Sequence, residues 1–322
     1  MVCRFFIIVL IILFCGNANS QDIEFSQFYA TKNYLNPAFS ALSNDQSFTT
    51  SYRNQWPSIA NAYDSYFVSY DRKIKNKDAG IGVYYLSDIA GAGALKRQSF
   101  VFQYAKHLRF GKEIFGSLGV KGGYNLNSIQ WDKLTWGDMI DARKGFVYAT
   151  NQPQGASNES YFDAGAGFII YSDKYFGGFA MEHINRPSVG LLSLYNESKL
   201  PIRYKAHGGA KIPIQTSPNA TTVILSPQMI YTKQGNSQQL SVGSYITYDQ
   251  FSIGLWHRLK DSFIVLAGID HNSFRFGYSF DLGANKLMVQ SGGAHEISLT
   301  YNFDFHNKQK TRKFRVISCP LF

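Results

Sequence analysis

The chain carries seven histidines, at positions 107, 183, 207, 257, 271, 295 and 306, and they are scattered singly. None has a partner at the short spacing that metal ligation from one element requires. Of the three cysteines, Cys3 and Cys15 lie in the first twenty residues and Cys319 near the last, so no pair suggests a zinc site or a redox motif. A G-x-S-x-G elbow and a complete phosphate-binding loop are both missing. GIGVYY (Gly80 to Tyr85) and GAGALK (Gly91 to Lys96) start like a dinucleotide fingerprint but lack its third glycine and its βαβ setting, and read as strand and hairpin glycines. The chain therefore reads as non-enzymatic, with no catalytic residue, cofactor or metal assigned. One charge pair stands out. Arg53 and Glu296 fall on the polar side of the first and last strand candidates, where they either pair across a closing seam or are each solvated.

The elements that would position them are strands. In SFRFGYSFDL (Ser273 to Leu282) the residues Phe274, Phe276, Tyr278, Phe280 and Leu282 alternate with Ser273, Arg275, Gly277, Ser279 and Asp281. HEISLTYNFDF (His295 to Phe305) repeats the pattern, with Ile297, Leu299, Tyr301, Phe303 and Phe305 on one side. Successive side chains of a strand point to opposite faces, so each segment has one apolar and one polar face. Half-buried sheets and transmembrane barrels both produce this alternation.

The first residues narrow the choice. Arg4 precedes an apolar run from Phe5 to Phe14, and Ala18 and Ser20 fit a cleavage site before Gln21, so residues 1–20 read as a secretory signal peptide. Nothing beyond it approaches the ~18 consecutive apolar residues of a helical span, and an exported chain that crosses a membrane must then use strands. Aromatics are abundant (26 Phe, 21 Tyr, 4 Trp), yet the mean hydropathy is −0.19. A barrel with aromatic girdles outside and a polar interior explains both.

Cutting the chain where alternation stops and turn residues cluster gives fourteen strands, at 48–56, 62–72, 79–87, 96–109, 113–126, 161–171, 174–183, 203–214, 221–233, 238–249, 251–260, 262–270, 273–282 and 294–305. The odd-numbered connections hold about four times as many residues as the even-numbered ones. An outer-membrane barrel segregates long outer loops from short periplasmic turns, whereas a soluble sandwich has no reason to. The expected fold is an up-and-down antiparallel β-barrel of about fourteen strands in the outer membrane, in contact with its lipid and with both termini periplasmic.

Four regions follow: a signal peptide (1–20), a periplasmic lead or plug (21–47), the barrel (48–305) and a basic tail (306–322). The net charge of +10 is concentrated in that tail, where Lys308, Lys310, Arg312, Lys313 and Arg315 stand with no acid among them. They are candidates for a periplasmic partner or simply solvated. Export makes nucleic acid an improbable partner. The longest connection, Asn127 to Ser160, carries Trp131, Trp136, Asp132, Asp138 and Asp141, and is the first candidate for an outer partner, with Trp131, Trp136 and Asp138 as contact residues.

Several segments resemble the PorP/SprF family of outer-membrane proteins of Bacteroidetes: FSQFY (Phe25 to Tyr29), YLNPAFS (Tyr34 to Ser40), YRNQW (Tyr52 to Trp56), GIGVYYLSDIAG (Gly80 to Gly91), GYSFDL (Gly277 to Leu282), AHEISLTYNF (Ala294 to Phe303) and the terminal CPLF (Cys319 to Phe322). The matching positions are Asn36, Pro37, Tyr52, Arg53, Trp56, Gly277, Tyr278, His295, Glu296, Cys319 and Pro320. Leu321 departs from the arginine more usual there. The resemblance implies a non-enzymatic barrel tied to type IX secretion and gliding motility, supporting export or surface attachment of a secreted protein with a C-terminal sorting domain, together with periplasmic secretion components. A passive porin or hydrophobic-solute transporter is the alternative that the residues leave open.

Overall fold

The alternating segments form one antiparallel sheet that closes on itself. The computed structural model describes residues 22–303, apart from 44, 60–61, 75–76, 142, 153, 191–198, 215–222 and 284–289. Its wall consists of β1 (Gln46–Gln55), β2 (Tyr63–Lys73), β3 (Ala79–Ala90), β4 (Leu95–Arg109), β5 (Phe115–Ile129), β6 (Asn158–Tyr171), β7 (Tyr175–Glu182), β8 (Arg203–Ala210), β9 (Val223–Gln234), β10 (Ser237–Tyr248), β11 (Phe251–Arg258), β12 (Ser262–His271), β13 (Phe274–Gly283) and β14 (Ala294–Phe303). Each pairs with its sequence neighbours, and β1 pairs with β14 to complete the ring. No helix among the described residues is long and apolar enough to cross a membrane.

Strand ends shift by a few residues from the sequence reading, and two of the shifts change a connection. The strand expected at 203–214 is interrupted at Lys211, whose N–H bonds to the Lys174 carbonyl at 2.7 Å; Ile212–Ile214 then resumes pairing with β9. The long connection is shorter than expected, because Asn127 and Ser128 pair with Glu159 and Asn158 and carry the β5–β6 ladder beyond the apolar alternation. Backbone pairing does not need an apolar face, so a polar hairpin can rise above the lipid belt. The connections 130–157, 183–202 and 284–293 all leave and re-enter the wall at one end of the barrel.

Every second residue of the wall faces out. Phe100, Phe102, Phe162, Ile253 and Leu255 are more than half exposed on the outer surface. Many inward positions are polar, among them Ser51, Ser69, Gln103, Ser117, Ser241 and Ser279, and these are buried. What covers them is the segment before β1. Residues 22–43 occupy the lumen, with a short helix α1 (Lys32–Leu35) and a 3-10 turn at Pro37–Phe39. Apolar packing between lead and wall falls in three patches: Phe39 and Leu42 against Phe115, Ile169 and Phe176; Tyr29 and Ala30 against Tyr245, Trp256 and Leu266; and Phe25 against Phe67, Tyr84 and Leu86.

The segment of residues 22–43 passes through the lumen from one end of the wall to the other. It runs from Asp22, beside Arg97, His183 and Gln234 at the long-loop end, to Leu42, beside Phe115 and Phe176 at the end where β1 begins and β14 stops. Its polar groups are engaged by the wall along that whole path.

Candidate functional site

The best-defined polar constellation of the molecule is the surface where the lead meets the wall. Asn36 has extended backbone and caps the 3-10 turn, its side-chain oxygen accepting the Ala38 N–H at 2.9 Å. Its amide nitrogen donates to the carbonyls of Phe168 and Phe179 at 3.1 and 3.2 Å, so one side chain both shapes the lead and ties it to β6 and β7. Pro37 supplies a fixed φ at the first position of the turn and has no N–H to leave unpaired. Opposite this turn the wall is glycine. A Cβ on Gly119 would overlap the backbone of Pro37 and Ala38, and one on Gly167 would overlap the Asn36 side chain.

The closing seam carries a second constellation. Arg53 and Glu296 are directly opposed in the β1–β14 register, 3.4 Å apart, and Glu296 is fully buried. Arg53 also meets Asp281 at 2.9 Å, and Asp281 lies 3.5 Å from Arg258. The lead completes the cluster. The Ser26 and Gln27 N–H groups donate to the Glu296 carboxylate at 2.7 and 3.2 Å, and the Ser26 hydroxyl donates to Asp281 at 2.6 Å.

A third constellation sits at the long-loop end. Asp22 accepts from Gln234 at 3.0 Å, contacts His183 Nε2 at 2.7 Å and is ion-paired with Arg97. His183 Nδ1 faces Asp163 at 2.9 Å, so both ring nitrogens meet carboxylates and a doubly protonated, cationic ring satisfies both. Glu182 binds Lys121 and Lys205, and Arg203 reaches Glu24 at 3.1 Å. Among the described residues no group of histidine, cysteine and carboxylate side chains is arranged to hold a metal ion.

Burial alone would raise the Asp22 carboxyl, but Arg97, with His183 and Arg203, holds it well below the usual carboxylate range. Burial opposes charge on His183, yet its bonds to Asp163 and Asp22 raise it above the ordinary imidazole value. The signs then fix a window. A depressed acid contributes stability in full above its undocked pKa of about 4 and loses it as pH falls through the docked value; a raised histidine contributes in full below about 6.5 and loses it as pH rises through its docked value. Docking of the mouth end of the lead is therefore strongest between about pH 4 and 6.5 and weakens on both sides. Limited proteolysis of the folded barrel across this range checks it: cleavage near residue 22 rises at alkaline pH, and a profile that falls there contradicts the assignment.

The loop 130–157 has a structure of its own. Trp131 is buried and its ring stacks with Trp136 at 6.3 Å between centroids. Asp138 accepts from the Thr150 hydroxyl and the Asn151 N–H, at 3.0 and 2.8 Å, holding the loop's two arms together. Asp141 accepts from the N–H groups of Arg143 and Lys144 at 2.8 and 2.9 Å and from the Tyr148 hydroxyl at 2.9 Å. These bonds depress its carboxyl. Ile140, Phe146, Val147 and Tyr148 remain exposed beside this turn. Asp141→Ala leaves those N–H groups without their acceptor, so the loop is cut faster after Arg143 and Lys144 by trypsin while barrel closure is unchanged; equal cleavage rates would show that the carboxylate does not hold the turn.

A comparison with protein families matches residues 17–301 to the type IX secretion system membrane protein PorP/SprF. The chain belongs to that family. As a PorP/SprF barrel it is an outer-membrane protein, and its outward belt faces lipid. No curated protein matches it in sequence. Among solved structures it is similar to the outer membrane protein Omp33 of Acinetobacter baumannii (5% identity, covering 82% of this chain and 100% of that one, TM-score 0.46). It is also similar to the toluene transporter TbuX of Ralstonia pickettii (9%, 84% and 92%, TM-score 0.40) and to the KdgM porin (8%, 80% and 99%, TM-score 0.38).

The motif positions of this PorP/SprF chain separate by direction. Asn36, Pro37, Arg53, Gly277 and Glu296 lie in the lumen at the lead–wall contact. Tyr52, Tyr278 and His295 sit on the outer side, where the Tyr52 hydroxyl donates to Asp64 at 2.6 Å and Tyr278 bonds His295 at 2.8 Å. Trp56 has a left-handed φ of 63° and its N–H bonds to the Gly293 carbonyl at 2.7 Å, joining two long-loop-end connections. Cys319, Pro320, Lys308, Lys310, Arg312, Lys313 and Arg315 lie outside the described residues. The sequence reading did not single out Asp22, Lys121, Glu182, His183, Arg203, Lys205, Arg258 or Asp281 as an interacting set. Their signal was there, since alternation places charges such as Lys121 and Asp281 on inward positions of apolar-faced strands.

Proposed function

We infer that this barrel is a non-catalytic outer-membrane scaffold for a secreted protein with a C-terminal sorting domain, supporting its export or its attachment at the surface. The long-loop end faces outward, and the loop 130–157 meets the partner. The observation that carries this reading is the combination of a lumen occupied by the protein's own residues 22–43 with a structured loop that presents Ile140, Phe146, Val147 and Tyr148 to water. A lumen so filled is poorly suited to passing solutes, while exposed aromatics on a pinned loop resemble the anchors of protein interfaces. The basic tail contacts periplasmic secretion components from the other side of the membrane.

A photo-reactive amino acid placed at position 148 tests the contact in the native host. It should crosslink to one or a few sorting-domain proteins, and the same probe at the lipid-facing position of Phe100 should not. Crosslinking only to lipid or lipopolysaccharide from position 148 would overturn the assignment of the loop.

A further inference from the structure

The lead makes contacts on both sides of the point where the barrel closes. Its later half, residues 33–42, holds β2 to β8. Asn33 donates to Asp71 at 3.2 Å, the Gln103 side chain donates to the Asn33 carbonyl at 2.7 Å, Ser117 donates to the Ala38 carbonyl at 2.7 Å, and Lys205 donates to the Tyr34 carbonyl at 2.9 Å. Its earlier half crosses the seam. Ser26 and Gln27 donate their N–H groups to Glu296 on β14, the Gln27 side chain donates to the Glu296 carbonyl at 2.7 Å, and Arg53 on β1 donates to the Ser26 hydroxyl at 2.8 Å. The two strands that must find each other last, β1 and β14, thus share a ligand inside the lumen.

We propose that residues 22–43 act as a built-in assembly clamp: the inner wall is a binding site for this one segment, and the β1–β14 seam closes on it. Glu296 is where the lead favours closure. Its carboxylate is buried and faces Arg53, but Arg53 is shared with Asp281, and two of the remaining donors to Glu296 are backbone N–H groups of the lead. Without them the carboxylate keeps only Arg53 and Ser51 as protein donors, and the closed seam loses the two charge-assisted bonds that the lead adds. The wall has been shaped for the segment at Gly80, Gly119, Gly167 and Gly277, where any side chain would collide with it. A segment that merely filled space would need neither the missing Cβ atoms nor hydrogen bonds to the seam carboxylate.

The clamp is tested by refolding the denatured full-length chain into detergent micelles and reading the closed fraction as the heat-modifiable band on a gel. Deletion of residues 22–43 should reduce the closed fraction at least tenfold, and a synthetic peptide of residues 22–43 added in trans should restore at least half of it. Because a deleted chain can aggregate for trivial reasons, Ser26→Pro in the full chain is the deciding variant. It removes the N–H donor to Glu296 together with the Ser26 hydroxyl, which Ser26→Ala removes alone. Closure slowed about tenfold relative to both the parent and Ser26→Ala supports the clamp. Parent-like closure of Ser26→Pro, or of the deletion chain, overturns it.

Discussion

Reversing both charges of the seam, in the double variant Arg53→Glu with Glu296→Arg, leaves the barrel as unstable as either single reversal. Exposed pairs tolerate such exchanges, and a pair isolated in lumen water would too. Here the surroundings are already polarised. Glu296 accepts the N–H groups of Ser26 and Gln27, and a guanidinium in its place would put donors against donors. At position 53 a carboxylate would stand beside Asp281, which now lies 2.9 Å from the Arg53 side chain. Breaking a buried pair by losing one partner costs about 3–5 kcal/mol, and each reversal exceeds that case because it adds a like charge. The expected reading is a large fall in the urea midpoint of the heat-modifiable transition for all three variants. Rescue in the double variant would mean that the two charges answer only each other, independently of the lead and of Asp281.

Gly119→Ala and Gly277→Ala loosen the lead, while Gly122→Ala is nearly neutral. A methyl group on Gly119 would overlap the backbone of Pro37 and Ala38, and one on Gly277 would overlap the Tyr29 hydroxyl and the Gln27 side chain. Backbone cannot yield as a side-chain end can, so overpacking of about 1–3 kcal/mol is the lower bound at Gly119. On the outer face, a methyl on Gly122 meets only the Phe162 ring, at 3.2 Å, and that ring is free to turn into lipid. Protease cleavage within residues 22–43 of the folded protein should increase for the two lumen variants and not for Gly122→Ala. The opposite order would place the lead elsewhere.

The barrel was legible because its signal is local and repeated. Period-two alternation marks the inward and outward residues of SFRFGYSFDL without any knowledge of partners, and in a closed barrel β1 and β14 had to meet, antiparallel because the count is even. The pairing of Arg53 with Glu296 followed only as one of two options, since alternation gives direction and not solvation. What decided it was the lead. Residues 25–40 show no periodicity, because each of their side chains answers a different site on the wall: Asn36 to two carbonyls, Ser40 to Gln103, Tyr34 to Arg203. Such contacts span separations of 63 to 169 residues and leave no pattern in the segment itself. The luminal glycines were visible as residues and explicable only once the backbone of Pro37 and Ala38 lay against them. The loop 130–157 was correctly set apart by length, but its order comes from Asp138 and Asp141 gathering backbone N–H groups, which composition does not reveal.

The filled lumen and the pinned loop 130–157 support the proposal that this PorP/SprF barrel holds a secreted protein and does not conduct solutes. The most direct test is deletion of its gene in the native host, with surface and culture-medium proteins quantified against wild type and a strain complemented with the full chain. The account predicts that one or a few proteins with C-terminal sorting domains leave the surface, and that complementation returns them. An unchanged exported proteome, accompanied by altered uptake of small solutes, would contradict it.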